Sequence, residues 1–82
     1  MKKTYYGAYS YMGTNYSYDS DCWEVYGFPS ATERDEWVNQ NPTHKEAVTR
    51  PVAYKILGMG KHYRILQDPN GRLFKYPKYL EG

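Results

Sequence analysis

A strand that passes at once into a capped helix is the feature that most constrains the fold of this chain. It occupies residues 23–38, WEVYGFPSATERDEWV. The aromatic and β-branched residues up to Phe28 suit a half-buried strand, and Pro29 ends it because proline has no amide hydrogen for the next ladder bond. Ser30 then lies at an N-cap position, and Glu33, three residues later, completes a capping box. The segment therefore predicts a strand followed directly by a helix.

The residues before this segment predict a partner strand. Residues 3–12 alternate in the manner of a strand, and Gly7 marks a bend or a close approach of another group to the backbone. One face of this strand would carry Tyr5, Gly7, Tyr9 and Tyr11. Turn-forming residues fill 13–21, so we expect a hairpin that joins residues 3–12 to residues 22–28.

A second helix is predicted in the middle of the chain. We expect residues 43–48 to form only a short turn before it. Thr49 or Arg50 would cap the helix, and Pro51 would be tolerated in its first turn. Apolar residues spaced by four would give it a buried side, and Gly58 would end it.

The last predicted element is a hairpin over residues 61–76. Its turn is Asp-Pro-Asn-Gly at residues 68–71, in which proline presets one backbone angle and glycine can take a positive φ. With Gly71 as a bulge, the expected partners are Gln67 with Leu73, Leu66 with Phe74, Ile65 with Lys75 and Arg64 with Tyr76.

These elements together predict an α+β fold with the order ββ-α-α-ββ. We expect a small antiparallel sheet of about four strands, with one or two short helices packed on one face. Residues 1–82 would form a single domain, because a chain of this length holds one small core. With 11 Tyr in the chain, that core would be shallow, and a homodimer or higher homo-oligomer would bury additional area.

Composition narrows the cellular setting and the chemistry. The single cysteine, Cys22, excludes an internal disulfide framework and a cysteine-based zinc site. The first residues carry two lysines but no continuous apolar stretch, so we expect no signal peptide. No segment is apolar enough to span a membrane. We therefore expect a cytoplasmic protein without a cofactor.

Charge is distributed unevenly along the chain. Residues 1–41 hold three cations and six anions, whereas residues 42–82 hold eight cations and three anions. The basic half would suit an anionic partner. Alternatively, the two halves complement each other within one fold.

Catalytic and metal-binding patterns are weak in this sequence. Cys22 could pair with His44 or His62, but no local signature of a thiol enzyme accompanies it. Asp19, Asp21 and Glu24 do not follow the order of an EF-hand loop, and a solvated acidic loop is the simpler interpretation. We therefore expect a protein that is not an enzyme and has no metal site.

Binding is better supported, because cations and aromatic residues alternate along the last hairpin. Aromatic rings beside basic groups suit stacked bases and phosphates. The same pattern would also fit a solvated sheet edge whose cations guard against aggregation, and exposed tyrosines would equally suit a protein partner. The candidate binding residues are Tyr5, Tyr9, Tyr11, Arg50, His62, Arg64, Arg72, Lys75 and Tyr76.

The order of strand, FPSATERDEWV, KEAVTRPVAYKILG and hairpin resembles, in type, the small accessory proteins of phages and mobile elements. These are single α+β domains, rich in Tyr and Lys, with one thiol or none. The resemblance implies a stoichiometric binder that blocks a host defence system by occupying a defence protein, as anti-CRISPRs do. Its alternative implication is a nucleotide or nucleic-acid binder, for example one that sequesters a nucleotide signal. The resemblance implies no particular site residue.

Overall fold

The structure, a computed structural model, describes residues 3–58 and 63–77. These residues form five strands and two helices in an α+β arrangement, which confirms the predicted class. The elements in chain order are β1 (Tyr5–Ser10), β2 (Trp23–Phe28), α1 (Ala31–Asn39), β3 (Lys45–Val48), α2 (Arg50–Ile56), β4 (Tyr63–Gln67) and β5 (Arg72–Pro77).

One antiparallel sheet contains all five strands, in the order β3-β1-β2-β5-β4. The first predicted hairpin is confirmed, because β1 pairs with β2 from Tyr5 opposite Phe28 to Ser10 opposite Trp23. The second hairpin is confirmed residue by residue: Gln67 faces Leu73 and the other three expected pairs follow in the same register.

The turn of the second hairpin has the geometry that its sequence predicts. Gly71 takes a φ of 89°, a conformation that glycine adopts without steric cost. The Asp68 carboxylate accepts hydrogen bonds from the backbone amides of Asn70 and Arg72, both at 2.9 Å. These bonds satisfy the turn amides locally, which explains why the register was readable from the sequence.

The prediction of a short turn over residues 43–48 was wrong for its last four residues. Lys45–Val48 is an edge strand that pairs with β1, from Tyr9 opposite Lys45 to Tyr6 opposite Val48. Four residues of mixed polarity carry little strand pattern of their own. They become a strand because β1 offers a free edge for backbone hydrogen bonds.

The two helices lie on opposite faces of the sheet, and the expectation of one shared face was wrong. Trp37 of α1 packs over Gly7, since a Cβ built there would lie 2.5 Å from its Cζ3 atom. Ala53 of α2 packs instead with Val25 and Leu73. Gly7 and Ala8 are neighbours on β1 and therefore point to different faces. Large apolar side chains on both faces require a cover on each.

The best-buried cluster lies under α2. Its members are Val25, Ala53, Leu57 and Leu73, and the partly buried hydrophobic residues packed against it are Tyr6, Val48, Tyr54, Ile56 and Ile65. The other face is covered by Trp37, whose ring contacts Tyr26 and Phe28 with centroids 5.0 and 5.2 Å away. Neither α1 nor α2 is long and apolar enough to cross a membrane.

Candidate functional site

The predicted binding residues do not converge on a single site. Tyr5 and Arg50 line one cleft together. Tyr9, Tyr11 and Arg72 gather around Glu24 at the other end of the same face. Tyr5 and Tyr9 are four residues apart on one strand, a separation of about 13 Å, so the two groups are distinct.

The remaining candidates lie elsewhere. Lys75 lies on the α2 side of β5, where its ammonium approaches Gly58. Tyr76 lies four residues after Arg72 on β5 and therefore on the same face of the sheet. Its backbone partner in β4 is Arg64. His62 lies outside the described residues. The basic hairpin therefore distributes its candidates over two faces of the sheet.

The cleft around Tyr5 and Arg50 is the strongest candidate site in the described part of the chain. Its volume is about 760 Å³, within the range of small-molecule sites. The lining residues are Lys3, Thr4, Tyr5, Tyr6, Arg34, Val48, Thr49 and Arg50. Three of these are cations, four carry hydroxyl groups, and none is acidic.

Strand pairing creates the cleft. Tyr6 lies opposite Val48, so the beginning of β1 and the end of β3 lie side by side at one end of the sheet. Arg34 reaches this end from α1 on one face, and Arg50 reaches it from the first residue of α2 on the other. Cations from both helical layers therefore meet beside the two tyrosines.

Aromatic rings support each cation of the cleft. The Lys3 ammonium lies 5.2 Å from the centre of the Tyr5 ring, and the Arg34 guanidinium lies 5.6 Å from the same centre. The Arg50 guanidinium lies 5.1 Å from the centre of the Tyr54 ring. Each contact is of the order of 0.5–1 kcal/mol at an exposed position, which is enough to bias the cation toward the cleft.

Charge pairing leaves the cleft with an excess of positive charge. Arg34 forms an ion pair with Asp35 at 3.0 Å, outside the lining. Within residues 3–58 and 63–77, neither Lys3 nor Arg50 forms an ion pair with a carboxylate. An anionic ligand would therefore meet two cations without competing carboxylates and a third that is shared.

Tyr6 contributes a neutral hydroxyl to the cleft. Burial raises the pKa of Tyr6, the neighbouring Tyr54 hydroxyl raises it further, and Arg50 partly opposes these effects. The Tyr6 and Tyr54 rings meet edge to face, with centroids 6.2 Å apart. Tyr6 therefore stays protonated at neutral pH, with its hydroxyl hydrogen-bonded to that of Tyr54.

The second group of predicted residues forms a closed polar cluster. The Glu24 carboxylate accepts hydrogen bonds from Tyr11 at 2.6 Å and Tyr26 at 3.1 Å, and it pairs with Arg72 at 3.4 Å. Burial and the charge of Glu24 raise the pKa of Tyr26 to about 12. Arg72 is occupied by this internal carboxylate, so the cluster stabilises the sheet rather than offering charge to a ligand.

An exposed aromatic surface lies on the loop that joins β1 to β2. Tyr11, Met12 and Tyr16 are large hydrophobic residues with exposed fractions of 54%, 57% and 46%. Tyr11 is held in place by its hydrogen bond to Glu24 and by edge contact with Tyr9, whose ring centroid is 5.3 Å away. We refer to Tyr11, Met12 and Tyr16 as the loop patch.

Sequence reasoning missed most of the cleft. Lys3 and Thr4 lay at the start of a predicted strand, and Arg34 lay within the predicted helix; none of the three was a candidate binding residue. Their common location depends on the pairing of β1 with β3 and on the position of α1. Of the lining residues, the sequence had indicated Tyr5, on an alternating strand, and Arg50, a cation at the beginning of a helix.

Metal chemistry has no evident place among the described residues. No group of three or more His, Cys, Asp or Glu side chains converges there in a way that could hold a metal ion. The Ser10 hydroxyl and the Cys22 thiol lie 3.2 Å apart and form a hydrogen bond with each other.

The chemistry of the cleft is thus a set of cations and hydroxyls with aromatic support. Such a set can bind an anion by charge-assisted hydrogen bonds. Comparison with protein-family models, with curated proteins and with solved structures found no match to this chain.

Proposed function

We propose that this protein is a non-enzymatic, stoichiometric binder of an anionic nucleotide ligand, which it holds in the cleft. The observation that carries the proposal is the meeting of Lys3, Arg34 and Arg50 in one cleft that none of the carboxylates of residues 3–58 and 63–77 lines. Charge-assisted hydrogen bonds from such groups are stronger than those between neutral partners. The size of the cleft suits one nucleotide rather than a polymer strand.

The resemblance to phage accessory proteins indicates what this binding would do in a cell. A stoichiometric binder present in excess would lower the free concentration of its ligand. We propose that the protein acts in the cytoplasm of the host cell by sequestering a nucleotide signal of a defence system.

Titration with ATP at low salt tests the binding step. Arg50→Glu should weaken binding by at least about tenfold, because one charge-assisted bond is worth roughly 1.5–3 kcal/mol and a repulsive charge replaces it. The matched control is Lys55→Glu, which makes the same change of charge at an exposed residue of α2 outside the cleft lining. Calorimetry would measure both. Equal weakening in the two variants, or no heat with the unmodified protein, would contradict the proposal.

The loop patch favours a second candidate function, the inhibition of a host defence protein by direct contact. Exposed tyrosines and a methionine provide adaptable contact area for a protein interface. Tyr11 is already fixed by Glu24, so it would lose little side-chain entropy on binding.

A photo-crosslinking residue tests this second candidate. Introduced in place of Met12, it should give one discrete adduct with a host protein, identified by mass spectrometry. The same residue in place of Thr32, an exposed position on α1, should give none. Adducts formed equally from both positions would count against a specific protein interface.

A further inference from the structure

The Tyr5 ring, which lines the cleft, is already engaged by two cations. Lys3 and Arg34 both lie over the Tyr5 ring, at 5.2 and 5.6 Å from its centre. A base stacking on Tyr5 would compete with these cations for the ring. Tyr54 is similarly covered by Arg50 at 5.1 Å, while the Tyr6 ring meets Tyr54 edge to face. The Tyr5 and Tyr54 rings therefore position cations, and the Tyr6 ring packs against Tyr54, so a base would have to displace an existing partner to stack on any of the three.

The polar groups of the cleft are donors of the kind that phosphate oxygens accept. Lys3 and Arg50 supply unpaired positive charge within the described residues. Hydroxyl groups of Thr4, Thr49 and Tyr6 line the same space. Among the described residues that line the cleft there is no Asn, Gln, Asp or Glu, the types that read adenine and cytosine edges. Arginine can read guanine, but Arg34 is paired with Asp35 and Arg50 lies over the Tyr54 ring.

We infer that the cleft recognises the phosphate chain of its ligand and is nearly indifferent to the base. The ligand class is a polyphosphate with at least two linked phosphates, such as a nucleoside di- or triphosphate. This inference rests on the proposed function and specifies which part of the nucleotide is bound. More phosphates place more negative charge among the three cations, so affinity rises along the series from nucleoside to triphosphate.

A ligand series at low salt, with EDTA present to remove divalent cations, tests the inference. The probes are adenosine, AMP, ADP, ATP, GTP, CTP, UTP and inorganic tripolyphosphate. From AMP to ATP the affinity should rise at least about tenfold, because each added phosphate brings further charge-assisted bonds. The four triphosphates should agree within about threefold, and tripolyphosphate should compete with ATP at a similar concentration.

The outcomes of this series separate the inference from the proposed function. If ATP binds but adenosine binds equally well, or tripolyphosphate does not compete, the phosphate inference is overturned and the nucleotide site stands. If tripolyphosphate binds and no nucleotide does, the proposed nucleotide function fails while phosphate recognition stands. If none of the probes binds, both fail.

Substitution of Tyr5 provides an independent readout. Tyr5→Leu removes the ring that supports Lys3 and Arg34, and it should weaken ATP and tripolyphosphate by the same factor. A base-stacking role would instead weaken ATP and leave tripolyphosphate unchanged, which would overturn the inference. Circular dichroism would verify folding. If Tyr5→Leu does not fold, Lys3→Gln, at an exposed residue, should weaken ATP and tripolyphosphate equally, and a loss confined to ATP would overturn the inference.

Discussion

At the scale of single residues, Gly7 decides how α1 meets the sheet. Its missing side chain leaves the space that the Trp37 ring occupies, and a Cβ there would lie 2.5 Å from Cζ3 and 2.9 Å from Cε3 of that ring. Sequence alternation had marked this glycine as a point of close approach, which the structure confirms. The sequence did not show that the group approaching Gly7 would be Trp37.

Gly7→Ala should destabilise the protein. Alanine restricts the unfolded chain, which alone would stabilise by about 0.4–1 kcal/mol. The overlap with Trp37 costs more, roughly 1–3 kcal/mol as for other overpacked sites. The net loss should appear as a lower denaturant midpoint with an unchanged slope. In a Trp37→Leu background the same substitution should cost less, and an undiminished cost there would show that the ring is not the cause.

At the scale of elements, the cap of α1 connects helix stability to the cleft. The Ser30 hydroxyl accepts a hydrogen bond from the Glu33 amide at 3.2 Å and donates to its carboxylate at 3.4 Å. The predicted cap is thus present, although Glu33 meets the hydroxyl rather than the Ser30 amide. Arg34 is the residue after Glu33, so the cap also holds in place the backbone that carries one cation of the cleft.

Ser30→Ala should therefore have two effects. Loss of the cap should lower the free energy of unfolding by about 1 kcal/mol. Fraying of the first turn should also let Arg34 leave the cleft and weaken ATP binding. Thr32→Ala is the matched control, because Thr32 is exposed within α1, and it should change neither quantity. Denaturation and calorimetry measure the two effects separately, and an unchanged affinity in Ser30→Ala would contradict the second.

At the scale of the whole molecule, the tyrosines make the free energy of unfolding fall at alkaline pH. The structure raises the pKa values of Tyr6, Tyr11, Tyr18 and Tyr26, the last from 10.0 to about 12. In this range the unfolded chain loses tyrosine protons that the folded chain retains. Unfolding then releases protons, so stability falls as pH rises.

The free energy of unfolding should be unaffected by these tyrosines below pH 10 and should decline from pH 10 to about 12. Tyr26→Phe should reduce the steepness of this decline, because it removes a tyrosine whose pKa the fold raises to about 12. Denaturant titrations at a series of pH values provide the measurement. A stability that stays constant over this interval, or an unchanged slope in Tyr26→Phe, would contradict the prediction.

Local chemistry by itself determined the strands β1 and β2, the capped helix α1, the start of α2 and the register of the last hairpin. Each of these depends on neighbouring residues, such as Pro29 after Phe28 or Gly71 at a turn. The tertiary structure alone decided that residues 45–48 form a strand, that the helices take opposite faces, and that Lys3, Arg34 and Arg50 line one cleft. These outcomes depend on pairing between segments far apart in the chain, where backbone hydrogen bonds and buried area, rather than local preference, determine which segments meet.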